Sequence, residues 1–431
     1  MLYKVYRVAG RIVWLTLLLS SPLLKRFGST GPGFGLAQRL GWYPELADKR
    51  PGVPRIWIHA ASVGEVKAAR ALVGGLRARS QELEIVLTTM TRQGHRVAAR
   101  QLAGQAVCLM APLDAAPAVR RALSHIRPDC YICLETELWP VMLSDLSHAG
   151  IPMLLLNGRM SERSCRRYRH LGPLVPNILA GFVRIGVISE TDRARFQALG
   201  VPGEKIEVTG NVKFDPGDEA DPAGRERFRS LLGVRDEIVF VSGSTRTGEE
   251  ILLADVVQHL RRESGRDIVW VVAPRHLERL DTVRRELSRQ GLDCDLFSVL
   301  QGGAARRHRV VLVDTMGDLA ELYAAGDYLF CGGSLVDKGG HNIMEAVRWG
   351  RPVYFGPSMK DFRDAVDLVV QGGCGFQVRN TAELARTLLA HMADREKYSA
   401  ICAAARRVSR AQKGAAGRQA AMVMEVIQRA E

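Results

Sequence analysis

The chain has 431 residues, 47% apolar and 25% charged, the balance of a folded globular protein and long enough for two domains. Wholesale disorder is excluded, and with only one strongly apolar segment so is a polytopic transporter. Lys and Arg number 60 against 46 Asp and Glu, a net charge of +14. With no long basic run and no basic stripe interleaved with aromatics, that excess favours an anionic lipid surface or a phosphorylated substrate over nucleic acid.

The first predicted element is apolar, Ile12-Val-Trp-Leu-Thr-Leu-Leu-Leu-Ser-Ser-Pro-Leu-Leu24, flanked by Arg7, Arg11, Lys25 and Arg26. It is shorter than the about 20 residues of a spanning helix, and Pro22 is expected to end it. No small-x-small cleavage site follows, which argues against a signal peptide. Extended back to Val5 it makes an amphipathic helix with basic groups on one side, suited to the headgroup layer. Residues 1–26 are therefore expected to associate with the cytoplasmic face of the inner membrane. A tilted single span and a buried N-terminal helix are the alternatives.

After a Gly/Pro-rich stretch, strands are predicted at Arg55–Ala60, Glu84–Thr89, Tyr131–Glu135, Met153–Asn157 and Arg184–Ser189, with helices at Val66–Arg79 and Arg92–Leu102. Residues 209–236 turn polar without an apolar period and read as a linker. The rhythm restarts with strands at Ile238–Gly243, Ile268–Ala273, Val310–Val313, Tyr328–Cys331 and Pro352–Phe355, and helices at Thr247–Arg262 and His276–Gln290. Strand–helix alternation implies parallel sheets, hence an α/β chain of two doubly wound, Rossmann-like domains, 27–208 and 237–405. Facing one another, they would place functional loops at strand carboxyl ends in a cleft. A basic, Ala-rich helix over 406–431 is expected to pack back on the first domain. Eight scattered cysteines include one CxxC, Cys130 and Cys133, inside a predicted strand. Residues i and i+3 of a strand face opposite ways, which suits neither zinc nor a disulfide, so buried thiols of a reducing compartment are expected.

Several strand ends carry polar motifs. In His59-Ala-Ala-Ser62-Val-Gly64-Glu65, a strand turns through glycine into a helix with Glu65 in its first turn. Backbone N–H groups there would keep Glu65 ionised, either as a general base or as a cap on the helix dipole. Glu135-Thr-Glu137-Leu-Trp-Pro140 places two carboxylates on one strand face, one of them free to pair with Arg159 or Arg163; Pro140 suits the first position of a helix. Lys213, in Gly210-Asn-Val-Lys-Phe-Asp215, projects a cation that is either a partner for carboxylate or phosphate or a plain surface lysine. In the second half, Ser242-Gly-Ser-Thr245 reads as a phosphate cradle, and Gly332-Gly-Ser-Leu335 opens a glycine-rich run into a helix whose start could hold phosphate. With Pro274-Arg275-His276, Asp314-Thr-Met316-Gly317-Asp318 and Gly339-Gly-His-Asn342-Ile343-Met344-Glu345, they describe a nucleotide pocket, the Asn and Glu spaced to hold a ribose diol.

Ser62–Glu65, Glu135–Pro140, Gly210–Asp215, Pro274–His276, Met316–Asp318 and Gly339–Glu345 together resemble, in order and spacing, the 3-deoxy-D-manno-octulosonic acid (Kdo) transferases of lipopolysaccharide synthesis. The resemblance covers nearly the whole chain. It implies a GT-B glycosyltransferase that moves Kdo from CMP-Kdo to the tetra-acylated lipid A precursor, lipid IVA, with inversion and with neither metal nor cofactor. By position it makes Glu65 the proton acceptor and Glu135 and Lys213 the groups that stabilise the transition state. Pro274, Arg275, Met316, Gly317, Asp318, Asn342, Ile343, Met344 and Glu345 become the CMP-binding segments. The chain departs at Gln38, where members often carry Glu, and at Ile343-Met344, where Pro or Leu is common. Two other readings use the same features: a GT-B sugar-nucleotide epimerase, which needs no membrane helix, and a non-catalytic peripheral protein that binds nucleotide and acidic lipid.

Overall fold

A computed structural model describes residues 2–26, 35–43, 46–215, 222–360 and 362–429. The chain forms two compact units, Met1–Asp215 with Gly414–Glu431, and Pro216–Lys413. The first holds strands β1 (Arg55–His59), β2 (Glu84–Thr89), β3 (Val107–Met110), β4 (Cys130–Leu134), β5 (Met153–Gly158), β6 (Phe182–Val187) and β7 (Ile206–Val208). They make one parallel sheet in the order β3-β2-β1-β4-β5-β6-β7. Its helices include α1 (Leu2–Arg26), α2 (Leu36–Arg39), α3 (Val63–Arg79), α4 (Arg92–Gln101), α5 (Ala116–Ile126), α6 (Pro140–His148) and α7 (Glu162–His170). Because the strands alternate faces, Trp57, Tyr131, Cys133 and Leu155 enter one core layer and Ile56, Ile58, Cys130 and Leu154 the other. Cys130 and Cys133 thus face opposite ways, as their spacing requires.

The second unit holds β8 (Ile238–Thr245), β9 (Ile268–Pro274), β10 (Cys294–Leu296), β11 (Val310–Leu312), β12 (Tyr328–Cys331), β13 (Val353–Phe355) and β14 (Gly375–Gln377), again one parallel sheet, ordered β10-β11-β9-β8-β12-β13-β14. Both sheets are doubly wound. In each, the chain leaves a first strand, builds one side, then crosses back, so the switch points lie between β1 and β4 and between β8 and β12. The four strands without a clear sequence signal, β3, β7, β10 and β14, are the four sheet edges, three or four residues long and too short to display a period.

Three boundaries differ from the sequence reading. The linker does not span 209–236: residues 209–215 belong to the first unit, the helix Pro222–Leu231 belongs to the second, and 216–221 lie outside the described residues. The C-terminal segment is not one helix over 406–431. Arg395–Gln412 belongs to the second unit, the left-handed Gly414 (φ 71°) breaks the helix, and only Ala415–Gln428 packs back, against α3. Finally, α1 runs through Pro22 to Arg26; a proline removes one backbone bond and need not end a helix.

One stripe of α1 is seated on the first unit. Trp14 is buried with Leu36, Leu40, Ala115 and Ala118, its indole N–H donates to Leu40 O at 3.3 Å, and the Arg121 guanidinium lies over the rings of Trp14 and Trp42. Val5, Val8, Ile12, Val13, Leu15 and Leu19 are exposed, so the helix is not buried as one alternative had it. No helix among the described residues is long and apolar enough to cross a membrane.

Candidate active site

Three predicted residues meet in the first unit, at the carboxyl ends of strands around its switch point. β1 ends at His59, and Ser62 caps α3, so the third helical residue, Glu65, turns back over the cap. The Ser62 hydroxyl donates to Glu65 Oε1 and the Ala61 N–H to Oε2, each at 2.7 Å. The carboxyl is only 6% exposed. Burial pushes its pKa up to about 7; the Ser62 and Ala61 hydrogen bonds pull it down, while Glu135 and Glu137 add repulsion. The N–H groups therefore act as the sequence suggested, but burial outweighs them, and Glu65 is poised near neutrality rather than held ionised.

Glu135 follows β4 with φ 58°, a left-handed residue. That turn breaks the two-residue alternation, so Glu135 and Glu137 do not share a strand face as expected. Glu135 instead forms ion pairs with Lys213 and, at 3.5 Å, with Arg159. Glu137 is pushed up by burial and then by Glu135, and its backbone carbonyl accepts from the Cys133 thiol at 3.2 Å. Pro140 opens α6, as predicted.

Lys213 sits on a single 3₁₀ turn, Val212–Phe214, held from two sides. Asn157 at the end of β5, itself left-handed (φ 53°), accepts the Val212 N–H at 3.0 Å, and Asn211 accepts the Lys213 N–H at 3.0 Å. The helix Ala415–Gln428 buttresses the same loop: Gln419 donates to Thr209 Oγ1 at 3.0 Å, Arg418 donates to Thr209 O at 2.8 Å, and Asp215 accepts the N–H of Gly414 and Ala416. A Cβ on Gly64 would lie 3.6 Å from Lys213 Nζ, so the ammonium rests against the start of α3, one residue from Glu65. A carboxyl titrating near neutrality thus adjoins an ion-paired carboxylate and ammonium. Such a group can take a proton while its neighbours hold fixed charge.

In the second unit the predicted loops gather around the other switch point, with two corrections. The helix expected from Thr247 begins at Glu249, because Gly248 is left-handed (φ 92°). The fully buried Glu249 accepts four backbone N–H groups, from Arg246 (2.9 Å), Gly333 (2.6 Å), Ser334 (3.1 Å) and Leu335 (3.0 Å). The Gly332–Leu335 loop is therefore no phosphate cradle; the protein's own carboxylate takes the donors a phosphate would need. Ile343 and Met344 have buried side chains, so what they could offer a ligand is backbone.

The other predicted positions converge. Asn342 donates to Glu345 Oε1 at 3.3 Å and accepts the Met344 N–H at 3.1 Å. Burial pushes the Glu345 carboxyl up, while Asn342 and the charges of Arg275 and Arg348 draw it down. Pro274 ends β9, and the Arg275 N–H bonds Thr245 O at 3.0 Å, joining that turn to β8. Met316 is 70% exposed beside the left-handed Gly317 (φ 98°), and Asp318 precedes the helix Leu319–Leu322. That helix joins the Asn342–Glu345 segment one step removed, through Arg348–Glu321 (3.3 Å) and the Trp349 indole on Ala320 O (2.7 Å).

Comparison with known proteins decides the family. A family model described as 3-deoxy-D-manno-octulosonic-acid transferase (kdotransferase) matches residues 35–216. A 3-deoxy-D-manno-octulosonic acid transferase of Haemophilus influenzae is 30% identical over 351 residues, 81% of this chain and 81% of that one. The chain belongs to the Kdo transferase family. It is a glycosyltransferase of GT-B architecture. A bifunctional glycosyltransferase/methyltransferase of Fusobacterium nucleatum subsp. nucleatum is 31% identical over 77% of this chain, which spans about half (52%) of that protein. Among solved structures, MurG of Acinetobacter baumannii superposes with a TM-score of 0.52 over 86% of this chain and 99% of that one; at 12% identity the likeness is one of fold.

Sequence reasoning overlooked two residues of this Kdo transferase's site. Asn157 fixes the Lys213 turn, and its signal was an amide closing an apolar strand, Leu154-Leu-Leu-Asn157, where a buried polar group needs a partner. Glu249 left no such signal, because three of its four partners lie 84 to 86 positions away in sequence.

Proposed function

We propose that this Kdo transferase moves Kdo from CMP-Kdo to the tetra-acylated lipid A precursor with inversion and without a metal, Glu65 serving as general base. The observation that carries this reading is Glu65 itself, buried, with a pKa near 7, one residue from the glycine that admits Lys213. In the step, an acceptor hydroxyl oxygen bonds to the anomeric carbon of Kdo while the bond from that carbon to the CMP phosphate oxygen breaks. CMP departs with the electron pair, and the hydroxyl proton passes to Glu65. Positive charge developing at the anomeric centre favours a carboxylate nearby, the role proposed for Glu135, and Lys213 balances the leaving phosphate or the sugar's own carboxylate. Arg275, Asn342 and Glu345 are proposed to bind the nucleotide, Glu345 on the ribose hydroxyls.

A bisphosphorylated, acylated acceptor accounts for two further features. Helix α7 follows directly from Arg159 and exposes Arg163, Arg166, Arg167 and Arg169, a cationic face suited to phosphate groups. The exposed apolar face of α1, with Lys4 and Arg11 also exposed, is suited to the cytoplasmic surface of the inner membrane. The test is incubation of purified protein with labelled Kdo, a CMP-Kdo generating mixture and tetra-acyl lipid A precursor, resolved by chromatography. Slower-migrating labelled lipid is expected. CMP binding without labelled lipid would overturn the proposal and return the epimerase and binding-module readings.

A further inference from the structure

Helix α6 begins directly after the Glu135–Trp139 turn, yet Trp139, at its N-cap, supplies no side-chain cap. The orphan N–H groups of its first turn are met from another element. Asp114, on the segment between β3 and α5, accepts the Val141 N–H at 3.1 Å and the Met142 N–H at 2.7 Å. Burial, and then the charge of the adjoining Asp114, hold the Tyr6 phenol of α1 in its protonated form beside the same carboxylate. Helix α1 lies tight against that segment: a Cβ on Gly10 would sit 3.1 Å from Asp114 O and 3.6 Å from Ala115 Cα. Further along α6, Arg7 of α1 and Arg120 of α5 each reach Asp145 at 3.5 Å.

The turn between β4 and α6 is pinned at its upstream end, where the Glu135 N–H donates to Leu156 O at 2.9 Å and its carboxylate pairs with Lys213 and Arg159. It has few fixings beyond that. Glu135 is left-handed, Thr136 Oγ1 donates to Arg159 O, and the Cys133 thiol donates to Glu137 O. Its downstream end is set by wherever the first turn of α6 is held. We infer that Asp114 is a positioning residue for the Glu135–Trp139 turn, and that Tyr6 makes the seating of α1 part of the same latch. The inference rests on the role proposed for Glu135. It makes α1 a brace for the site as well as a surface helix: when α1 lifts, the segment that carries Asp114 loses its packing against Gly10, the cap on α6 loosens, and Glu135 is set less well against Lys213.

The test uses the full chain with Tyr6→Phe, Asp114→Asn and, as a control on α1 that leaves its seating intact, Thr16→Ala, whose exposed hydroxyl donates within the helix to Ile12 O. Hydrogen exchange at the Val141 and Met142 amides is read alongside turnover on a short-chain acceptor dispersed in detergent, where docking to a bilayer plays no part. Exchange is expected to be about 5-fold faster in Asp114→Asn and about 2-fold faster in Tyr6→Phe. Turnover should fall about 10-fold and about 3-fold respectively, with KM for the sugar nucleotide unchanged. Thr16→Ala should match wild type in both. Wild-type exchange in Tyr6→Phe, faster exchange with unchanged kcat, or an equal kcat loss in Thr16→Ala would each overturn the latch. If Asp114→Asn does not fold, Tyr6→Phe alone decides. Exchange needs no reaction, so a wild-type chain that transfers no Kdo would sink the proposed function while the latch is still judged by its amides.

Discussion

Glu65 and Glu249 occupy the same place in their respective units. Each stands in the first turn of the helix that follows the strand on one side of the switch point, each is buried, and burial pushes each carboxyl up. Their surroundings separate them. Glu249 takes four backbone N–H groups, three of them from a loop beyond another strand, and its oxygens are spent holding that loop to the helix. Glu65 takes one N–H and one rotatable hydroxyl, and feels two other carboxylates. With about four lone-pair sites on a carboxylate, it keeps capacity to accept a proton or a donor. A glutamate after a strand-end turn is thus architectural when its lone pairs are committed, and a candidate for proton chemistry when they are not.

The sharpest way to break that contrast is to replace each glutamate by glutamine. Glu65→Gln is expected to lower kcat about 10³-fold while CMP binding and the fold persist, since the Ser62 hydroxyl can rotate to suit an amide. Normal turnover would remove the base assignment. Glu249→Gln is expected to cost about 2 kcal/mol of stability in denaturant titration, because the new NH₂ must face fixed backbone donors. A Glu249→Gln chain of wild-type stability would erase the distinction. Glu135→Gln, besides slowing turnover, should move the acid limb of the pH–activity profile. In wild type that limb is expected near pH 7, activity rising as Glu65 loses its proton. Removing the neighbouring negative charge eases that ionisation, so the limb shifts to lower pH. Gly64→Ala is the mildest, changing stability by less than about 0.5 kcal/mol, because its new methyl meets Lys213 Nζ at ordinary contact distance. A large loss there would mean that the ammonium needs more room at α3.

What the sequence could disclose followed from how far apart the interacting groups lie. Long apolar strands such as Ile268–Pro274 announce themselves because every residue is buried, whereas the three-residue edges β7 and β14 do not. Glu65 and Ser62 are three residues apart, so a capping arrangement could be read directly. The pKa of Glu65 could not, since it depends on burial and on carboxylates some 70 positions onward. The Gly332–Leu335 loop misled for the same reason: glycine-rich backbone advertises free donors, and only tertiary structure shows that a remote carboxylate already holds them. The alternation assumed for Glu135 and Glu137 failed at a single dihedral angle.

The helix Ala415–Gln428 has a consequence for the order in which this protein can assemble. It fills the first unit's core with Ala415, Ala420, Met422, Val423 and Ile427, and it braces the loop that carries Lys213. Yet it is synthesised after the whole of the second unit. A nascent chain can therefore fold the second unit as a continuous stretch while the first waits for its closing piece. The loop that carries Lys213 therefore cannot be fully braced until the whole of the second unit has been synthesised.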